Sequence, residues 1–299
     1  MKKRLLFTGA TGFLGKNIKP ILMESYEVTT LGASDKNDIK VDLAKDVPHI
    51  SSQYDVVLHA AGKAHSIPKT DSEIKEFYDT NYTGTVNLCS ALESHGVPKS
   101  FIFISTVAVY GVDSGENITE NEHLNGNTPY ASSKIMAERY LSDWCVKHNV
   151  ILTILRPSLI AGPEAPGNLG AMVKGISSGR YLSIAGGHAR KSVLMVQDIA
   201  RLVMLSADKG GIYNVCDDTQ PTFRQLESII AKQAGVCTPV SIPYWFAKCC
   251  ALVGDCLGKR APINSQKLRK IAKSLTFSNE KAKRMLNWTP TNVLENYHI

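Results

Sequence analysis

In the first half of the chain, apolar residues come in short runs separated by small or polar residues, which is the signature of buried strands. Leu5-Leu6-Phe7 centres a strand over residues 3–8, and Gly9-Ala10-Thr11-Gly12-Phe13-Leu14-Gly15 leads from it into a helical stretch reaching about residue 24. Val28-Thr29-Thr30-Leu31 reads as a second strand. Val41-Asp42-Leu43 and the run from Tyr54 to Gly62 read as two more strand ends, and Phe101-Ile102-Phe103-Ile104 as a buried strand. A helix opens at Thr128-Pro129, with threonine as cap and proline in the first helical position, and continues through Leu141. Thr222 with Gln225 three residues on opens another, which stops near Gly235. Pro20, inside the first helix, predicts a kink because it removes the hydrogen bond to the Lys16 carbonyl. Residues 161–167 are too rich in proline and glycine for a core element and read as loop. The apolar run over 244–257 carries Lys248 and Asp255 and falls short of the roughly 20 residues that span a bilayer. It predicts an amphipathic helix covering a core, and residues 279–286 predict a closing helix.

Composition narrows the picture only modestly. The 299 residues, 43% hydrophobic and 20% charged, suit one large or two moderate domains. The basic, apolar start is interrupted by Thr8-Gly9-Ala10 before it can serve as an export signal. Seven cysteines, with no CxxC or zinc-ligand spacing, predict a reducing, cytoplasmic setting and no metal. The net charge of +7 raises nucleic acid as a partner, but the basic residues between Lys267 and Arg284 alternate with apolar ones, as on solvated helix faces. No nucleic-acid partner is expected.

Strand, glycine turn and helix in succession point to a nucleotide. The glycines let the backbone approach a pyrophosphate, and free N–H groups at the helix N-terminus meet its charge. At the tip of the second strand an NAD-binding fold commonly places an acidic residue on the ribose 2′-hydroxyl. Gly32 stands there instead, with Asp35 in the following loop and Lys36 able to neutralise a 2′-phosphate, which leaves NAD or NADP with a lean to NADP. Tyr130 and Lys134, four apart, share one helix face, where an ammonium beside a phenol would bring the tyrosine pKa down from about 10 and make it a usable acid/base.

These residues resemble the extended short-chain dehydrogenase/reductases of the nucleotide-sugar epimerase/dehydratase group. The likeness runs through Gly9 to Gly15, Asp42-Leu43, His59-Ala60-Ala61-Gly62, the stretch from Asn81 to Leu88, Ser105 to Gly111, Tyr130 to Lys134 and Leu155-Arg156-Pro157. It continues in Tyr213-Asn214-Val215 and the segment from Lys281 to Pro290. The resemblance implies an α/β Rossmann fold, a doubly wound parallel sheet with a smaller C-terminal substrate-binding region. Residues 1–157 plus about 193–236 would bind the dinucleotide, and about 158–192 and 237–299 would form an interleaved substrate cap. It implies that Tyr130 is the catalytic acid/base, that Lys134 lowers its pKa and holds the nicotinamide ribose, and that Thr106 hydrogen-bonds the reacting sugar oxygen. Gly9, Thr11, Gly12, Phe13, Leu14, Gly15, Lys36, Asp42, Leu43, His59, Ala60, Ala61, Gly62, Asn81 and Pro157, with Tyr130 and Lys134, would line the cofactor. Asn168 would touch the nucleotide diphosphate, residues 182–184 would line the base, and Lys191 stands where the group usually has a phosphate-gripping arginine, with Arg190 beside it. Lysine lacks the guanidinium fork that such a grip uses.

Val107-Ala108 directs the choice of reaction. Members that eliminate water are similar to one another in carrying aspartate and glutamate after the threonine, and sugar-acid decarboxylases keep a glutamate at the second place; valine and alanine transfer no protons. Hydride transfer alone remains. The expectation is a reductase of a UDP-4-keto-6-deoxy-N-acetylhexosamine serving surface polysaccharide, with a UDP-hexose or UDP-N-acetylhexosamine 4-epimerase as the alternative. A non-catalytic dinucleotide-binding or RNA-associated protein of the same fold is the rival from another class, opposed by retention of Thr106, Tyr130 and Lys134. A reductase of apolar alcohols or steroids is a further rival. The resemblance also implies a homodimer through helices containing Tyr140 and Leu88.

Overall fold

A computed structural model describes residues 1–257 and 264–299; residues 258–263 of the expected cap lie outside the described residues. Seven parallel strands form the central sheet. In chain order these are β1 (Lys3–Thr8), β2 (Tyr26–Gly32), β3 (Ile39–Lys40), β4 (Val56–His59), β5 (Ser100–Ile104), β7 (Ile151–Pro157) and β11 (Gly211–Val215). Their order across the sheet is β3-β2-β1-β4-β5-β7-β11, and every pairing is parallel. The chain winds outward from β1 to β3, returns to β4, and winds out the other way. The reversal leaves a crevice beyond the carboxyl ends of β1 and β4, where doubly wound sheets bind ligands. The strand expected over 41–43 lies slightly earlier, at β3.

Both faces of the sheet are covered, which is why its strands read as continuous apolar runs. Leu5 and Phe7 face a core built with α1 (Phe13–Ser25) and α6 (Val196–Ser206), through Ile18, Leu22, Ile199 and Leu202. Leu6, between them, points the other way with Phe101 and Phe103. It meets Leu88 and Leu92 of α3 (Gly84–His95) and Leu141 and Trp144 of α4 (Pro129–His148). Leu88 is therefore enclosed in the core, so an interface on α3 would have to use other side chains. Helix α1 runs through Pro20, which sits on its exposed side.

Beyond the sheet lie three short strand pairs: β8 (Leu159–Ala161) with β10 (Val193–Met195), β9 (Ser183–Ile184) with β12 (Ser241–Ile242), and β6 (Gly115–Ile118) with β13 (Leu275–Phe277). Helices α5 (Gly167–Ser177) and α7 (Phe223–Ala234) pack with them around Leu169, Met172, Val193, Leu226 and Ile230. The capping box of Thr222 and Gln225 is formed, and Gly235 closes α7 in the left-handed region. Helix α8 (Tyr244–Leu257) lies where the apolar run predicts it, but its large apolar side chains face outward instead of covering a core. Helix α9 (Ser265–Ala272), which carries the basic residues read from sequence as a solvated helix face, packs beside it. Among the described residues no helix is long and apolar enough to cross a membrane.

Candidate active site

The glycine turn shows why its residues are small. Gly9 adopts φ +83°, and a side chain there would come within 2.6 Å of the Ala60 carbonyl carbon; one at Gly15 would come within 2.3 Å of the Gly9 carbonyl oxygen. Strand β1, strand β4 and helix α1 thus converge with backbone against backbone. Gly12 caps α1 without a side-chain hydrogen bond, and the first turn holds no acidic residue. The helix N-terminus is left with unsatisfied N–H groups and uncompensated positive charge, a fit for a pyrophosphate. Exposed Gly12 and Gly62 and half-buried Thr11, Phe13, Leu14, Ala60 and Ala61 border this crevice at the strand ends. Pro157 is buried at the end of β7.

His59 does not face the crevice. Its ring is fully enclosed, stacked on Phe103, with Nδ1 2.6 Å from Thr8 Oγ1 and Nε2 2.9 Å from Thr85 Oγ1. Thr85 spends its hydroxyl hydrogen on the Asn81 carbonyl, so Nε2 donates to Thr85 and Nδ1 accepts from Thr8. Burial, with a smaller push from the Lys134 ammonium, brings its pKa down to about 3, and the ring is neutral. His59 ties β1 and β4 to the helix behind them. Leu43 is likewise a core side chain, packed against Gly84, while half-buried Asp42 accepts a hydrogen bond from the Ala44 N–H and pairs with Lys45.

At the tip of β2, Asp35 is exposed and paired with Lys40, and Asp38 is bound to Thr30. Lys36 extends into solvent. Under Gly32 lies Asn37, whose buried Oδ1 has no partner among the described residues, an acceptor that a ribose hydroxyl would satisfy.

The hydroxyl pair ending β5 divides between two sides. Ser105 turns inward and bonds to Glu138, which is paired with Arg156; the guanidinium also reaches Tyr110 Oη at 3.0 Å, and Tyr110 donates to Asn214 Oδ1 at 2.7 Å. This enclosed network fastens α4 to β5, β7 and β11, and it accounts for Arg156 and Asn214 in the sequence. Thr106 turns toward the crevice with its hydroxyl near the Tyr130 phenol, and its Oγ1 accepts from the Ala108 N–H at 3.2 Å. Val107 packs into an apolar cluster with Tyr110 and Phe277, and Ala108 is exposed.

Tyr130 stands in the first turn of α4, where Thr128 caps the helix by accepting from the Ala131 N–H. Its ring meets Phe77 edge-on at 6.4 Å, and Lys63 lies over the other ring of that pair at 5.6 Å. Burial pushes the Tyr130 phenol above its ordinary value, opposed by the polar Thr106 hydroxyl beside it. The expected lowering by Lys134 is therefore not present in this state. The Lys134 ammonium donates to the Ile104 carbonyl at 2.9 Å and lies 4.5 Å over the Phe103 ring, and burial, partly offset by Glu138, brings its pKa down to about 8. It also sits 3.3 Å from where a side chain on Gly62 would begin, with Asn81 Oδ1 at 2.9 Å from the same point. Gly62, Asn81 and Lys134 thus meet at one point. Asn81 is fixed in a single π-helical turn (Asp79–Thr83) by the Lys63 backbone and by Ser133, whose hydroxyl in turn bonds the Tyr130 carbonyl. Ser133, Phe77 and Lys63 were not singled out from sequence; Ser133, lying inside the Tyr130 to Lys134 stretch, was the one within reach.

The substrate side departs most from expectation. The Lys191 Nζ donates to the carbonyls of Lys270 and Lys273, each at 2.9 Å, closing the end of α9. Arg190 is exposed beside it and Asn168 is exposed in the first turn of α5. His65, another residue sequence reading missed, abuts the start of α5, 2.7 Å from where a Gly167 side chain would begin.

The model of the NAD dependent epimerase/dehydratase family matches residues 5–216. The chain belongs to that family. Curated relatives include an N-acetyl-alpha-D-glucosaminyl-diphospho-ditrans,octacis-undecaprenol 4-epimerase of Escherichia coli O157:H7, 26% identical over 94% of this chain and 89% of that one. A GDP-6-deoxy-D-mannose reductase of Pseudomonas aeruginosa is 28% identical over 79% and 82%, and a UDP-glucose 4-epimerase of Vibrio cholerae 26% over 99% and 93%. Among solved structures, RMD from Pseudomonas aeruginosa complexed with NADPH superposes with a TM-score of 0.75 at 21% identity, covering 99% of this chain and 96% of that one. Family and fold make the protein an NAD(P)-dependent enzyme of the extended short-chain dehydrogenase/reductase type.

Proposed function

We propose that the enzyme transfers hydride at C4 of a nucleotide sugar, and that its direction is reduction of a UDP-4-keto-6-deoxy-N-acetylhexosamine for surface-polysaccharide precursors. The observation that carries this reading is the mouth of β5, where Thr106 meets Tyr130 while the next two side chains, Val107 and Ala108, are unable to move a proton. A dehydration or decarboxylation would need an acid or base there. When bound, the nicotinamide supplies the hydride. Thr106 holds the sugar oxygen by its hydroxyl, and Tyr130 gives that oxygen its proton; burial keeps the phenol protonated at neutral pH, the state a ketone reduction needs. Lys134, Asn81 and Gly62 lie together where the nicotinamide ribose would rest. Exposed Lys36, with Asp35 taken up by Lys40, favours NADP over NAD. With Lys191 engaged at α9, Arg190 is left as the cation for the diphosphate. A homodimer through α3 and α4 and a cytoplasmic setting complete the reading.

A 4-epimerase is the second reading, supported by 4-epimerase relatives that align over 94% and 99% of this chain. There Tyr130 takes the hydroxyl proton and later returns it. Mixing the protein with NADPH and the 4-keto sugar separates the two. The expected result is a stoichiometric fall in nicotinamide absorbance that Tyr130→Phe slows by about 10²- to 10⁴-fold. No fall, with cofactor binding intact, would overturn the reductase and favour the epimerase.

A further inference from the structure

Helix α8 is amphipathic in the wrong sense for a helix that covers a core. Its buried stripe consists of Ala247, Ala251 and Gly254, set against Leu268 of α9 and the β9 and β12 residues Ile184 and Ile242. At about 100° per residue, Trp245, Cys249, Leu252, Val253 and Cys256 fall on the opposite side, with Phe246 at its margin. All of them are exposed, Trp245 by 67%, Val253 by 61% and Leu252 by 54%. A soluble helix buries its large apolar residues and exposes small or polar ones. This helix does the reverse.

The exposed charge on the two helices is mainly cationic. Lys248 lies on α8 itself, and α9, packed beside it, exposes Lys267, Arg269 and Lys270 and ends at exposed Lys273. Asp255 accepts from the Ser265 N–H at 3.0 Å and so links the two helices, and Asp113 pairs with Lys270 at 3.1 Å. An apolar helical face with an aromatic residue near one end, bordered by lysine and arginine, is the composition that lies in the interface of an anionic bilayer. A protein interface would be expected to be depleted of lysine.

We propose that α8 and α9 form a peripheral docking surface for an anionic lipid bilayer, α8 seating its apolar side chains at the headgroup boundary and the basic residues meeting lipid phosphates. The surface is fastened to the substrate half of the molecule: β12 leads into α8 and pairs with β9, and Lys191 closes the end of α9. Docking would therefore set the orientation of that half to the membrane. The proposal does not depend on whether the reaction is a reduction or an epimerisation.

The test is flotation of the full chain with phosphatidylcholine vesicles, with and without phosphatidylglycerol. Co-flotation with the phosphatidylglycerol vesicles, weakened by salt and absent with phosphatidylcholine alone, is expected. Each large apolar side chain withdrawn from a lipid interface costs about tenfold or more. Trp245→Ser/Leu252→Ser should therefore lose about a hundredfold in partitioning. A basic residue near an anionic surface is worth about fivefold, so Lys267→Glu/Arg269→Glu should lose at least about twenty-fivefold. Both variants should bind nicotinamide dinucleotide as the parent does, which shows that they fold. Absence of flotation by the cofactor-binding parent, or equal flotation of the variants, would overturn the proposal. So would sedimentation showing self-association that Trp245→Ser/Leu252→Ser abolishes, since the face would then belong to a second copy of the chain.

Discussion

His59 is the residue whose surroundings most change its meaning. Read in sequence it belongs to a small-residue strand end beside the cofactor; folded, it is a neutral ring held between Thr8 and Thr85. Because burial lowers its pKa from 6.5 to about 3, the unfolded chain binds an extra proton between those values. Its contribution to stability is complete above pH 6.5 and is lost as the pH falls toward 3, at up to about 1.4 kcal/mol per pH unit. Denaturant titrations from pH 7 to pH 4 should show that acid limb, and His59→Gln should flatten it; an unchanged slope would mean that other groups set it. The same scale explains what was legible and what was not. Tyr130 and Lys134 stand out because their spacing carries chemistry, and Thr106 through the family resemblance. The destination of the Lys191 ammonium was hidden, because the carbonyls it meets, at Lys270 and Lys273, lie 79 and 82 positions further along the chain.

Among elements, the glycine turn and α4 matter most to the site. The turn was readable because strand, glycines and helix are consecutive. The hold on α4 was not, because Ser105, Glu138 and Arg156 are separated in sequence and meet only when β5 and β7 pair beneath the helix. Glu138 and Arg156 are each only 3% exposed, so removing one leaves the other charged and alone in the interior. Glu138→Gln should cost about 3–5 kcal/mol in denaturant unfolding. Replacing both residues by apolar ones of similar volume should recover much of that loss. A loss of less than about 1 kcal/mol on Glu138→Gln would show that the network does not fasten the helix.

At the scale of the whole molecule, the parallel sheet followed from its apolar runs and its crevice from the strand order. The outward face of α8 could not be read, since an apolar stretch of that length looks the same whether it covers a core or meets another surface. The account of function rests on one property of the crevice: Tyr130 and Thr106 are present, and no acid or base follows at 107 or 108. Turnover in deuterium oxide, with the product's carbon-bound hydrogens read by mass spectrometry and NMR, tests that property most directly. Hydride transfer at C4 alone predicts a product with no deuterium on carbon. Deuterium at C3 or C5 would require proton transfer at those carbons and would contradict the account.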